Sequence, residues 1–496
     1  MKVPENVKCI IRQLNNAGHD AYAVGGCVRD TILGRLPDDW DITTDAKPEE
    51  VKAVFKKTVD TGLLHGTVTV LMNGEGYEVT TYRIDGDYGD GRHPDNVSFT
   101  PDLEEDLKRR DFTVNAIAYN DETGYVDCFG GVEDIENRII RCVGNPDERF
   151  SEDALRIMRA VRFSGQLEFT IEDDTYEAIK RHVDNLKNVS AERIRVEFEK
   201  LLMSVEPEKF MMLYDTGITK IILPEFDICM DTEQNTPHHI YDVGNHTIHA
   251  LINLNYFIRH AKGETSAARD AEYLEKQTEG FSDSEKDSFK KCLEKILPVT
   301  DKALSSVTKK EEKILAFTML LHDIAKPRCK TTDERGDHFK GHPAVSADMS
   351  KEILRRLKFD NETIKSVSHL VFYHDYRTPL VKKNIRRGLS KIGKDYMGLF
   401  NVVTASDIMA QSPELMMEKC DRIAGGAVIA DEIILDEECI SLKDLCITGS
   451  DLIKDGMKPG PGIGEVLNRL LDMVIDDPKL NDYEVLLSKS REWREG

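Results

Sequence analysis

The stretch Tyr22–Thr44, YAVGGCVRDTILGRLPDDWDITT, decides how the rest of the chain is read. A short apolar entry, Tyr22 to Val24, ends in Gly25-Gly26, which lets the backbone turn tightly and approach a ligand. Cys27 to Leu33 then reads as a helix start, whose unpaired N–H groups and positive dipole end favour a phosphate. Arg29 adds a cation on that side. After the break at Gly34 and Pro37, Asp39-Trp40-Asp41-Ile42 alternates polar and apolar residues as a strand does. That spacing aims Asp39 and Asp41 at one face. Carboxylates so close repel unless a cation lies between them, and hard divalent metals prefer oxygen ligands. A phosphate cradle followed by a carboxylate pair suits metal-assisted phosphoryl or nucleotidyl transfer.

At 496 residues the chain implies two to four domains. Its net charge of −23 counts against loose, sequence-independent coating of nucleic acid, which relies on counterion release by Lys and Arg. A structured RNA requires the basic residues to be grouped. Four groups stand out: Lys108-Arg109-Arg110, Arg156/Arg159/Arg162, Arg193/Arg195, and Lys382-Lys383 with Arg386-Arg387. Each of them also suits an ordinary solvated helix face. The ten cysteines contain no C-x-x-C pair, which argues against a disulfide framework or a zinc ribbon. No apolar run approaches 18 residues and the start MKVPENVKCIIRQ lacks a signal-peptide core, so the expectation is a cytoplasmic protein with no membrane partner.

The order Gly25-Gly26-x-x-Arg29-Asp30, with Asp39-x-Asp41-Ile42-Thr43-Thr44 beginning ten residues after the arginine, resembles the head signature of class II tRNA nucleotidyltransferases. That polymerase β-like group includes CCA-adding enzymes and bacterial poly(A) polymerases. Further along, Thr67–Met72 and Tyr77–Arg83 read as a hairpin turning through Asn73-Gly74. Glu78 lies on its second strand. Glu78-Val79-Thr80-Thr81-Tyr82-Arg83 matches the family strand, which makes Glu78 a third catalytic carboxylate, although an acid near a strand start is often only solvent-facing. The Gly/Asp-rich residues Asp85–Thr100 resemble the family's flexible loop, which relatives adding only the two C residues mostly lack. Arg109-Arg110-Asp111-Phe112-Thr113-Val114-Asn115-Ala116 matches the family's R-R-D-F-T-x-N-A motif, and the resemblance implies that Arg110 contacts the nucleotide.

A helix with Ser151 as N-cap is expected next. On it Asp153, Arg156, Arg159 and Arg162 form one row at i+3 spacing, so Asp153 and Arg156 stand together. An Asp/Arg pair accepts cytosine and adenine, whose amino group donates beside a ring acceptor, and rejects guanine and uracil. Each mismatch leaves a buried polar group unpaired, at about 1–3 kcal/mol. Such spacing equally suits an intrahelical salt bridge of about 0.2–0.5 kcal/mol. Glu152-Asp153-x-x-Arg156 resembles the family motif in which the Asp and Arg select the base. Arg159 and Arg162 would then lie along the triphosphate.

From Thr236 the character changes. His238, His239, His246 and His249 cluster, an adjacent His322-Asp323 follows, then His338, His342, His369 and His374, and Asp407. The order resembles HD-superfamily metal-dependent phosphohydrolases, whose imidazole and carboxylate ligands come from several helices. The resemblance implies His246, His322, Asp323 and Asp407 as ligands, with His342 and His374 near substrate or a second metal. His239, His249 and His338 read as satisfied surface or core groups. The charged segment 259–310 reads as a protruding helical hairpin and Gly460–Gly464 as a loop–helix junction, which the resemblance implies is part of a tRNA-gripping tail.

The resemblance thus implies an α+β multidomain chain. A polymerase β-like nucleotidyltransferase head would span 1–145, all-α neck/body helices 146–230, an all-α HD domain 231–413 and an α-helical tail 414–496. It implies addition of C, C and A to the tRNA 3′ end from CTP and ATP. The nucleotide would be held by Gly25, Gly26, Arg29, Arg110, Asp153, Arg156, Arg159 and Arg162, and Mg²⁺ by Asp39 and Asp41. A divalent transition metal or Mg²⁺ would occupy the HD site. A poly(A) polymerase or A-adding enzyme shares every head motif, and an HD phosphohydrolase with a regulatory RNA-binding head is the reading from another class.

Overall fold

The computed structural model describes residues 1–86 and 97–495; residues 87–96 of the expected flexible loop lie outside the described residues. The chain divides into two compact units, Met1–Pro224 and Glu225–Gly496.

The first unit is α+β. Its opening helix, Glu5–Asn16, buries Val7, Ile10, Ile11 and Leu14 along one face, the i, i+3, i+4, i+7 stripe of an amphipathic helix. The strands follow as β1 (Ala21–Val24), β2 (Asp41–Thr44), β3 (Thr58–Gly62), β4 (Thr67–Met72), β5 (Glu75–Thr81), β6 (Arg83–Asp85), β7 (Val97–Phe99), β8 (Ile117–Asn120) and β9 (Gly124–Asp127). Seven of them form one sheet in the order β3-β4-β5-β2-β1-β8-β9, and β6-β7 form a separate ribbon. The β4–β5 hairpin turns at Asn73 and Gly74, with φ of 52° and 89°, the left-handed pair that suits the strand twist. Within the seven-stranded sheet only β2 and β5 pair in parallel, with Asp41 opposite Glu78. Asp39 precedes the strand rather than sharing it, so the expected alternation holds from Asp41 alone.

Helices Pro146–Glu152, Leu155–Leu167, Asp173–His182 and Ala191–Leu202 complete this unit. The single helix expected from Ser151 is two. Asn145 caps the first by accepting from the Asp147 N–H, and Ser151 Oγ donates back to the Asp147 carbonyl from inside that helix. Asp153 is extended (φ −140°, ψ 102°), ends the first helix and accepts from the Leu155 N–H at the start of the second. Two competing caps, Asn145 six residues before the expected one and Asp153 two residues after it, break the continuous i+3 row at its first member.

The second unit is helical apart from the ribbon Thr331–Asp333/Gly336–His338. The segment 259–310 does not protrude. Val243–Ala261 runs through its beginning, and Asp283–Leu304 packs against Val243–Ala261, Lys394–Ile408 and Pro413–Leu435. Phe289, Cys292, Leu293, Ile296, Thr300 and Leu304 form a buried stripe there, with the charged residues outward. Tyr273 of Ala267–Gln277 stacks on Tyr256 at 3.8 Å and 5°. Near the C-terminus, Leu452, Leu470, Val474 and Leu486 gather in a separate small core. The expected basic path at Lys382–Arg387 is taken up internally. Lys382 and Arg386 pair with Glu438, Lys383 and Arg387 with Asp476, and Arg386 Nε donates to the Ile475 carbonyl. No helix among the described residues is long and apolar enough to cross a membrane.

Phe289 is fully buried beside Tyr273 and Phe281. Phe289→Ala is expected to lower the stability of the second unit by about 3–5 kcal/mol in urea unfolding. An unchanged midpoint would return 283–304 to a peripheral hairpin.

Candidate functional site

In the first unit β1 ends at Val24 and the chain turns at Gly25 with φ of 81°. A Cβ there would also come 3.0 Å from Arg110 Nη1, so the conformation requires glycine and any side chain would displace that guanidinium. The Gly25 N–H donates to the Ile117 carbonyl at 3.1 Å, which ties the turn to β8. Arg29, on the short helix Gly26–Ile32, is buried; its Nη1 donates to Asn115 Oδ1 at 2.5 Å and its Nε to Asp30 Oδ1 at 2.9 Å. Asp106 is fully buried, stands 2.7 Å from Arg109 and 3.4 Å from Arg110, and accepts from the Thr43 hydroxyl of β2 at 3.1 Å. Burial pushes its carboxyl up, but Arg110 and Arg109 outweigh that and hold it below the ordinary carboxylate value.

Asp41 and Glu78 behave oppositely. Burial raises Asp41, the charge of Asp39 raises it further, and Arg110 opposes. Burial likewise raises Glu78, followed by Asp41 and Asp39. Acids that push one another toward neutrality, with Arg110 opposing this only in part at Asp41, favour a further positive charge beside them, and an all-carboxylate donor set fits a hard divalent ion.

Behind this cluster, Asp111 accepts from Arg159 Nε and Nη2 at 2.8 and 2.5 Å, and its other oxygen accepts from Asn115 Nδ2 at 3.0 Å. A polar chain therefore runs Arg159–Asp111–Asn115–Arg29. Burial alone would raise Asp111, yet Arg159 and Asn115 hold it well below 3.8. Phe163 lies under the same arginines, with Arg162, Arg29 and Arg159 at 3.7, 5.0 and 5.3 Å from its ring centre. Asp153 accepts from Arg193 at 2.7 Å, whereas Arg156 donates to Glu152 at 2.6 Å and to the Arg109 carbonyl at 3.0 Å. The two expected base-reading side chains thus have separate partners. Arg162 stands 2.7 Å from Glu197, and burial lowers it to about 10 despite that charge.

In the second unit His246 (Val243–Ala261), His322-Asp323 (after Lys309–Leu321), His342 (first residue of His342–Arg356), His374 (after Asn361–Tyr373) and Asp407 (Lys394–Ile408) converge, all buried. Each histidine places Nδ1 against a backbone carbonyl: His246 on Ala410 at 3.1 Å, His322 on Met319 at 2.7 Å, His342 on Phe339 at 2.8 Å and His374 on Val371 at 2.7 Å. That fixes the tautomer and turns four Nε2 lone pairs inward. They face one another in twos, His246/His322 at 3.3 Å and His342/His374 at 3.2 Å. Asp323 lies between the two pairs, Oδ2 3.2 Å from His322 and Oδ1 3.2 Å from His342, and Oδ1 accepts no hydrogen bond although buried. Asp407 stands 2.9 Å from His246 and is held by Gln411 at 3.0 Å on each oxygen. Burial opposes charging of His322, yet Asp323 and Asp407 raise it to about 10, so these carboxylates favour a positive charge at its Nε2, whether a proton or a metal ion. Lone pairs opposed at such distances call for cations. The sets His246/His322/Asp323 and Asp323/His342/His374 each have ligand atoms within 4.8 Å of one another, which Asp39, Asp41 and Glu78 do not.

Residues 21–141 match the Poly A polymerase head domain, 168–230 the "Probable RNA and SrmB- binding site of polymerase A", and 344–489 a tRNA nucleotidyltransferase domain 2. A CCA-adding enzyme of Pediococcus pentosaceus is 32% identical over 485 residues, 98% of this chain and 96% of that enzyme. The chain belongs to the CCA-adding enzyme family. The CCA-adding enzyme of Lactobacillus helveticus is 52% identical over 220 residues, 44% of this chain and 54% of that enzyme, so that match spans about half of the relative. The crystal structure of the Bacillus stearothermophilus CCA-adding enzyme in complex with CTP superposes with a TM-score of 0.64 at 28% identity, covering 100% of this chain and 98% of that one. The family is one of nucleotidyltransferases, enzymes that use divalent metals.

For a CCA-adding enzyme family member, the sequence picked out the Gly25 turn, Arg29, Arg110, Asp41 and Glu78, which the sheet brings to one end. It missed Phe163, although a phenylalanine four residues after Arg159 shares that arginine's helix face. It also missed Lys326, 2.7 Å from Asp323, and Gln411. His239, read as a plain satisfied group, lies edge-on to His246 at 5.0 Å and 3.3 Å from Lys326. No sequence spacing marks it.

Asp111→Asn is expected to cost about 1.5–3 kcal/mol at neutral pH, the range for hydrogen bonds to charged groups. Because the folded carboxyl lies below 3.8, its contribution is complete above the unfolded value and is withdrawn as pH falls below it. Urea unfolding should show wild type and variant converging below about pH 4. A gap independent of pH would contradict the assignment.

Proposed function

We propose that the chain adds C, C and A to the 3′ end of tRNA, taking the nucleotides from CTP and ATP without a nucleic-acid template. The supporting observation is the in-register placement of Asp41 and Glu78 beside the Gly25 turn and Arg110. Asp39, Asp41 and Glu78 would hold Mg²⁺, which when bound favours ionisation of the attacking 3′-hydroxyl and neutralises the departing pyrophosphate. Gly25 and Gly26 let the triphosphate approach the backbone, with Arg29, Arg110, Arg159 and Arg162 along it. Asp153 keeps acceptor capacity for a base amino group while bound to Arg193, since each carboxylate oxygen carries two lone pairs. Arg156 would donate to the ring acceptor beside it. This reading assigns 1–145 to the head, 146–230 to the neck/body, 231–413 to the HD domain and 414–496 to the tail.

The second unit would carry a metal-dependent phosphohydrolase centre. His246, His322, Asp323 and Asp407 suit one ion, and Asp323 with His342 and His374 a second. Imidazole-rich sets suit transition metals such as Mn, Fe or Ni better than Mg²⁺. The cavity above the centre includes Lys326, Arg377 and Lys340, cations suited to a phosphate.

Incubation with tRNA lacking its 3′ end and labelled CTP plus ATP should yield a product longer by three nucleotides, and Asp41→Ala should abolish it. A long A-only product would favour the poly(A) alternative, and no incorporation would end the proposal. Elemental analysis of the purified protein should find up to two transition-metal ions per chain, lost with phosphatase activity in His322→Ala. Metal-free protein that stays inactive after loading with Mn²⁺ or Ni²⁺ would retire the hydrolytic reading.

A further inference from the structure

Three guanidiniums surround the Phe163 ring: Arg162 at 3.7 Å, Arg29 at 5.0 Å and Arg159 at 5.3 Å from its centre. Arg29 comes from Gly26–Ile32, the other two from Phe163's own helix, Leu155–Leu167. The ring is 5% exposed, and Phe112 packs against it edge-to-face at 5.9 Å and 82°. Like charges this near repel. Asp30, Asp111 and Glu197 each pair with one arginine, and each subtracts charge from the cluster in doing so. An aromatic face attracts a guanidinium through its quadrupole and adds no negative charge to the three carboxylates already there. A carboxylate in its place would hold the arginines equally well but would repel a polyanion.

We propose that Phe163 is a positioning residue that sets triphosphate affinity, for CTP and ATP alike, by gathering Arg29, Arg159 and Arg162 without adding a further acid to the three that already pair with them. This rests on the nucleotidyltransferase reading above. Base choice is left to Asp153 and Arg156, which Arg193 and Glu152 hold.

Phe163→Leu keeps apolar volume and removes the quadrupole. Its affinity for CTP and for ATP, measured by equilibrium binding, should fall about tenfold for both. Inhibition by inorganic pyrophosphate should weaken in parallel, and discrimination against GTP and UTP should be unchanged. Site-specific incorporation of mono-, di- and trifluorinated phenylalanine at 163 preserves the shape while draining the ring face, and should weaken CTP binding stepwise with fluorine number. That series also serves if Phe163→Leu does not fold. Unchanged CTP affinity across the fluorinated series, or unequal losses for CTP and ATP in Phe163→Leu, would overturn the proposal. Because binding is read without turnover, these outcomes are separate from the tRNA assay: a wild type that binds CTP but extends no tRNA would sink the nucleotidyltransferase reading and leave this one standing or falling on its own series.

Discussion

The first unit depends on one parallel pairing in an otherwise antiparallel sheet. β2 and β5 run together in register, so Asp41 and Glu78 stand side by side at the same end. A slip of one residue would turn every following side chain of that strand to the other face, sending Asp41 into the core and Ile42 outward. Thr43 on the same strand binds Asp106, and Asp106 in turn holds Arg109 and Arg110. The acids and the arginines that face them are therefore set by a single strand. Between them, Gly25 leaves the room that Arg110 occupies.

The second unit solves a different problem, that of keeping six polar groups buried among helices. Every imidazole spends its Nδ1 on a carbonyl near a helix end, so the rings cannot rotate to relieve the crowding of their Nε2 atoms. Asp323 stands between two pairs and Asp407 is braced by Gln411, which Lys419 holds in turn. Such an arrangement is costly without positive charge at its centre. The helix Asp283–Leu304 supports it indirectly, through the two helices that supply His246 and Asp407.

The head was largely legible in the sequence because its motifs are local. Gly-Gly, the arginine pair and the Asn73-Gly74 turn each act within a few residues, and their chemistry survives translation into three dimensions. Asp39 was misplaced because strand alternation was extended two residues upstream of where pairing with β5 begins. The charged segment 259–310 misled for a different reason: its charge is high on average, and only the spacing of Phe289, Leu293, Ile296 and Thr300 reveals a buried face. His239 could not be read from pattern, and for Phe163 the spacing from Arg159 gives only a shared helix face, since what distinguishes both is the groups that other elements bring to them. The basic run at Lys382–Arg387 shows the converse, because four cations that look available are committed to Glu438 and Asp476.

The interruption at Asp153 has a mechanical meaning. A carboxylate within a helix is aimed by the rotation of the whole rod, together with every neighbour on its face. Here one extended residue joins two rods, and the arginines Arg156, Arg159 and Arg162 all belong to the second. The acid is accordingly aimed by its own extended backbone and by Arg193, while the row along the second rod keeps its spacing.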